Sequence, residues 1–207
     1  SSIERSEDDT LSSGKGQFGD DIGHPPGTLH VAVLRSSYAS GKIVNIDTSG
    51  ALAIPGVHSI IDGNMFAEIS KPLLSVLRVD IEVWPCAIEF VRYVGEPIAL
   101  VLAKDRYIAE DAIENIKVSY KQLEPIIDTY KATLDDSPKV HNQLNTNVLS
   151  DREFCYGNPN QAFEKADKIV KLKIEYPRNS CTPLEGFIVQ SNYNPESNQY
   201  TIQSNFQ

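Results

Sequence analysis

The side chains of this sequence with chemistry to offer are four histidines, three cysteines and a few adjacent acids. His24, His30, His58 and His141 share no i, i+4 pair and no HExxH frame, so their spacing supplies no metal site. His58 falls inside a predicted strand and reads as a core or edge residue. Cys86, Cys155 and Cys181 stand far apart and form no CxxC pair. They read as free thiols of a reducing compartment. No cysteine has a histidine near it in sequence, and the chain has neither a GxSxG elbow nor a Walker loop. Asp20–Asp21 and Asp135–Asp136 could be paired carboxylates for acid–base work, but adjacent acids in polar stretches read as solvated turns. Gly14-Lys15-Gly16-Gln17-Phe18-Gly19 spells GxGxxG. A dinucleotide fingerprint needs a strand before it and a helix after it; here an acidic tail precedes and Asp20 to Pro26 follows. These glycines read instead as an irregular loop.

The 207 residues are enough to bury a real core in one or two domains. The net charge of −9 argues against nucleic acid and anionic membrane surfaces as partners. No apolar run approaches the ~18 residues of a spanning helix. The polar, acidic N-terminus is not a signal peptide, and the reading is a cytoplasmic protein.

The elements that would hold any site centre on Phe90 to Asp128. Ile98 to Ala103 is a short, continuous apolar run behind the turn Gly95-Glu96-Pro97, as suits a strand buried on both faces. Ile108, Ala112, Ile113 and Ile116 then fall at helical spacing, with Glu110, Asp111 and Glu114 opposite. Ile116, Val118 and Tyr120 alternate with lysines and Ser119, as in a half-exposed strand. A strand–helix–strand unit predicts a right-handed crossover. Before it, strands are predicted at Leu29–Arg35, Lys42–Asp47 and Val57–Ile61. Thr48 is predicted to cap a short helix through Ala53, and Asp62-Gly63-Asn64 to open another. Residues 68 to 89 are weakly patterned. Beyond Asp128 the texture turns polar, with a linker at Asp135 to Pro138. Strands are predicted at Asn147–Phe154, Lys168–Tyr176, Gly186–Asn192 and Gln199–Phe206, and a short helix at Asn160–Ala166. The last two strands are joined by a hairpin-like loop, Asn194 to Asn198. Ser1 to Ser13 is polar and reads as extended or disordered at its start. The stop at Gln207, directly after a strand, suggests an incomplete domain.

On these residues alone the chain is an α+β protein without a visible catalytic set. Its motifs nevertheless resemble those of the molybdenum hydroxylase large subunits: the xanthine dehydrogenase, aldehyde oxidase and aerobic carbon monoxide dehydrogenase families. Gly14-Lys15-Gly16-Gln17-Phe18 with Asp20-Asp21-Ile22 resembles their opening G-x-G-x-(F/Y)-x-D-D. Gly27-Thr28-Leu29-His30 with Leu34-Arg35-Ser36, then Ile43 to Asp47 and Pro55-Gly56-Val57, follow in the family's order. Arg92-Tyr93-Val94-Gly95-Glu96-Pro97 is similar to its most recognisable early motif. Lys104 to Tyr107 with Ala109 and Asp111 to Ile113 resemble the carbon monoxide dehydrogenase and archaeal aldehyde dehydrogenase branch. Pro183-Leu184-Glu185 and Phe206-Gln207 match the later P-(L/M)-E and F-Q points.

The resemblance implies a polar tail (1–13), an α/β-hammerhead domain (14–130) and the incomplete first portion of an α+β molybdopterin-binding domain (131–207). It implies a molybdenum cofactor in the complete enzyme, with iron–sulfur clusters and FAD on partner chains or domains. The rest of the large subunit, an iron–sulfur subunit and a FAD subunit would be the partners, and self-association of the fragment is expected. The reaction implied is hydroxylation or oxidation at a carbon centre with water as oxygen source. The family's base glutamate and glycine-rich pterin loop are absent from this sequence, so no catalytic residue is assigned, and the isolated chain is expected to be inactive and cofactor-free. Only Gln207 maps onto a residue near the metal, the family's metal-adjacent glutamine. Two competing readings are a stand-alone binding or assembly module that reuses the hammerhead fold, and an acid–base hydrolase using Glu96 or Glu185.

Overall fold

The computed structural model describes residues 3, 5–73, 79, 81–177, 179–180, 182–183 and 185–205. Its strands, in chain order, are β1 (His30–Arg35), β2 (Gly41–Asp47), β3 (Val57–Asp62), β4 (Phe90–Val91), β5 (Pro97–Ala103), β6 (Lys117–Gln122), β7 (Val189–Asn194) and β8 (Gln199–Ser204). The helices are α1 (Asp8–Ser12), α2 (Ser49–Leu52), α3 (Gly63–Ile69), α4 (Arg106–Glu114), α5 (Thr129–Ala132) and α6 (Pro159–Glu164). The mixture is α+β, as the residue patterns predict. By its contacts the chain divides into two compact units, Gly27–Pro159 and a second formed by 1–26 with 160–207.

In the first unit two three-stranded sheets form, ordered β1-β5-β3 and β4-β2-β6. All their pairings are antiparallel. The crossover predicted from β5 through α4 to β6 is therefore not made. The two strands belong to different sheets, and α4 carries the chain from one to the other. The local pattern was correct for each element, but a strand's partner is set by which neighbour completes its ladder and buries its face.

β5 is the middle strand of its sheet, and this explains its unbroken apolar run. Ala99, Val101 and Ala103 are fully buried in clusters with Ala109 and Ala112 of α4. Ile98 faces the other way, packed with Val91 and Ala87 against Ile43, Ile46, Val118 and Tyr120. Each large aliphatic side chain removed from water here contributes roughly 1.5–3 kcal/mol. Small residues dominate the α4 side, letting helix and sheet approach closely. α4 starts where Asp105 accepts the Ile108 N–H at 2.9 Å. Asp62 does the same for α3 through the Met65 N–H at 2.9 Å, as its position before Gly63-Asn64 predicts. Thr48 does not cap α2. Its neighbour Asp47 takes that role, accepting from the Ser49 N–H at 3.0 Å and the Ser49 hydroxyl at 2.6 Å.

The second unit holds α1, the following loop and the β7–β8 hairpin, paired in register from Val189–Ser204 to Asn194–Gln199. α1 forms within the polar N-terminal stretch, and its acidic first turn suits the positive end of a helix dipole. The predicted strands at Asn147–Phe154 and Lys168–Tyr176 do not form. Alternation marks a segment able to cover a face, yet a strand exists only with a partner to bond, and neither segment has a ladder.

Candidate functional site

Two of the sequence motifs shape local structure, one in each unit. In the first, Arg92 to Pro97 forms the turn that feeds β5. Gly95 sits at φ +92°, in the left-handed region that favours glycine. Its N–H donates to Ser36 O at 2.8 Å, its carbonyl accepts from Arg35 Nη1 at 2.9 Å, and the Ser36 N–H donates to Glu96 O at 2.8 Å. Glu96 accepts from the Arg92 N–H and pairs with the Arg92 guanidinium at 3.3 Å, both side chains being largely covered. Arg92 Nε and His141 Nδ1 are buried without a hydrogen-bond partner. Burial and the nearby Arg92 charge hold the His141 pKa below its ordinary value. Beside this turn lies a cavity of about 740 Å3, with Trp84, Phe90, Arg92 and Glu96 among its walls.

In the second unit the Gly14–Asp21 stretch is a loop, not a phosphate-binding strand–helix turn. Gly19 to Asp21 makes one 3₁₀ turn, closed by Asp21 accepting the Phe18 N–H at 2.9 Å. The Gly19 N–H donates to Glu185 Oε1 at 2.7 Å, across 166 residues. A cavity of about 560 Å3 opens there, walled by Gln17, Phe18 and Gly19 from the loop and Gln190, Gln203 and Asn205 from the hairpin. Apart from Glu185, this wall is neutral amide, hydroxyl and apolar surface. It can hydrogen-bond a polar group without adding charge.

Glu96 and Glu185, the two candidate acids, lie in different units, and each accepts a backbone N–H. Gln207 and its neighbour Phe206 lie outside the described residues, as do Leu184 and Cys181. Cys86 is buried, and burial with the nearby Asp62 charge pushes its thiol up to about 11; Cys155 is exposed. Among the described residues no three His, Cys, Asp or Glu side chains group to hold a metal ion. What residue patterns alone did not reveal is the Gly19–Glu185 contact. Its only sequence signal is that both residues fall in motifs of the resemblance, at opposite ends of the chain.

Comparison with known proteins accounts for both motif groups. The aldehyde oxidase and xanthine dehydrogenase a/b hammerhead domain matches residues 13–124, and the molybdopterin cofactor-binding domain matches 140–207. The chain belongs to the aldehyde oxidase and xanthine dehydrogenase family. Within that family it is 32% identical over 198 residues to the carbon monoxide dehydrogenase large chain of Afipia carboxidovorans, covering 87% of this chain and 24% of that one. It is 31% identical over 199 residues to the nicotine 6-hydroxylase large subunit of Paenarthrobacter nicotinovorans, covering 88% of this chain and 23% of the relative. The fold is similar to that of quinoline 2-oxidoreductase from Pseudomonas putida 86, with a TM-score of 0.84 at 31% identity over 98% of this chain and 26% of that chain. A Cu,Mo-CO dehydrogenase gives a TM-score of 0.80 at 28% identity over 99% of this chain and 27% of that one. The chain thus spans about a quarter of the length of the relatives it matches.

Proposed function

We propose that this chain supplies the hammerhead domain (14–130) and the first portion of the molybdenum-cofactor-binding domain (131–207) of a molybdenum-dependent hydroxylase or dehydrogenase. The complete enzyme oxidises a carbon centre with oxygen from water. The observation that carries this reading is that two domain matches succeed each other along the chain in the order found in large subunits. Gln17, Gln190, Gln203, Ser204 and Asn205 offer donors and acceptors that fit a polar cofactor, and the charged group in the same wall, the Glu185 carboxylate, is engaged by the Gly19 N–H. When bound, the molybdenum cofactor supplies the oxygen-transfer and electron-accepting chemistry.

This chain's own part is to bind and orient. The hammerhead gives a rigid frame, the loop and hairpin give hydrogen-bonding surface, and Gln207 lends a neutral amide beside the metal. The base and the pterin loop come from the remaining large-subunit residues, and the electrons leave through iron–sulfur and FAD partners in the cytoplasm. No helix of the described residues is long and apolar enough to cross a membrane.

Two preparations test the reading: the chain expressed alone, and the same sequence with the rest of its large subunit. Stoichiometric molybdenum by elemental analysis is expected only in the second, together with dehydrogenase activity. A stable, cofactor-free protein with a ligand of its own in both would favour the stand-alone binding module. Gln207→Ala in the complete enzyme is expected to lower turnover while molybdenum content and folding stay normal.

A further inference from the structure

We infer that Glu185 is a positioning residue whose carboxylate clasps the Gly14–Ile22 loop to the start of the β7–β8 hairpin and so fixes both walls of the 560 Å3 cavity. The role rests on the proposed function, in which this part of the chain borders the cofactor. Three observations carry it. The Gly19 N–H to Glu185 Oε1 distance of 2.7 Å belongs to a charge-assisted bond, the stronger kind, and the contact is partly buried. Gly19 comes so near the hairpin that a Cβ there would stand 2.2 Å from Ile188 Cγ2, so any side chain at this position must displace Ile188 or the loop. Beyond Glu185 the hairpin is closed at its open end by Asn205, which accepts the Ile188 N–H and donates to Gly186 O, both at 2.9 Å. One continuous set of bonds therefore runs from the loop through Glu185 to the end of β8. A carboxylate engaged by a backbone N–H from 166 residues away ties the loop to the hairpin.

The test uses the full-length molybdenum enzyme that carries this sequence, with Glu185→Ala, Glu185→Gln and Gly19→Ala. Hydrogen exchange of residues 14–22 is expected to quicken on the order of tenfold in Glu185→Ala. It should stay near wild type in Glu185→Gln, whose amide oxygen still accepts the bond. The Mo(V) paramagnetic resonance spectrum should shift in Glu185→Ala and return in Glu185→Gln, at unchanged molybdenum content. Gly19→Ala pushes the loop off Ile188 from the other side and carries the same two readouts if Glu185→Ala does not fold. Unchanged exchange at 14–22 overturns the clasp. A loosened loop with a wild-type spectrum overturns the positioning role. Wild-type enzyme without molybdenum sinks the proposed function instead, and the exchange measurement then decides the clasp alone.

Discussion

Ile98–Ala103 and Lys168–Tyr176 are both apolar-rich stretches that read as strands, yet only the first becomes one. β5 is flanked by β1 and β3 and covered by α4 on one face, and Ile98 on its other face is fully buried. Lys168–Tyr176 has no ladder, and its Ile174 is 78% exposed. The difference lies in their neighbours rather than in hydrophobicity. A strand is stabilised by pairing and by coverage, and a segment with neither is left with the entropy cost of being ordered.

The sharpest way to break this comparison is a matched pair of truncations. Ile98→Ala is expected to cost about 2–5 kcal/mol, because a buried side chain leaves a cavity. Ile174→Ala should stay within about 0.5 kcal/mol, as for an exposed site. Denaturant unfolding measures both, and equal losses would mean that Lys168–Tyr176 is buried in solution.

Gly95→Val comes next. A Cβ at Gly95 meets nothing within 4 Å, so the whole penalty is conformational, about 1–3 kcal/mol for a β-branched residue at φ +92°. An unchanged melting temperature would show that the turn relaxes.

The exposed Ile169, Val170, Leu172 and Ile174 form an apolar run that favours association. Light scattering should find the chain self-associating when expressed alone, and Leu172→Ser with Ile174→Ser should shift it toward monomer without moving the unfolding of the Gly27–Pro159 unit.

Acid should weaken that unit through His141. Its folded pKa is held down by burial first and by Arg92 second. The unfolded chain therefore takes the proton first, so the stability is fully present above about pH 6.5 and is lost as pH falls below that value toward the folded pKa. His141→Gln should flatten this part of the stability–pH curve; an identical slope in both proteins would remove His141 as its source.

The smallest expected effect is on reactivity. In a Cys181→Ser background a thiol reagent at neutral pH should label exposed Cys155 quickly, and buried Cys86, with its thiol near 11, only on unfolding.

Local rules were legible in the residues themselves. The α4 periodicity, the Asp62 cap and the Asn194–Asn198 hairpin turn each depend on a few consecutive side chains, and each stands where those side chains predict. The ordered motifs were enough to reveal the family. The candidate cavity was only half legible, because Gly19 and Glu185 both stood out while nothing local joined them.

By itself, then, the sequence determined β1, β2, β3, β5, α4 and β6, the Asp62 cap and the family, since these follow from neighbouring residues or from motif order. Only the tertiary structure decided that β5 and β6 part into different sheets, that Lys168–Tyr176 stays unpaired, and that Gly19 meets Glu185. Those outcomes depend on which distant surfaces are free to pair and which polar groups reach each other once the core has closed. Residue spacing along the chain carries no measure of either.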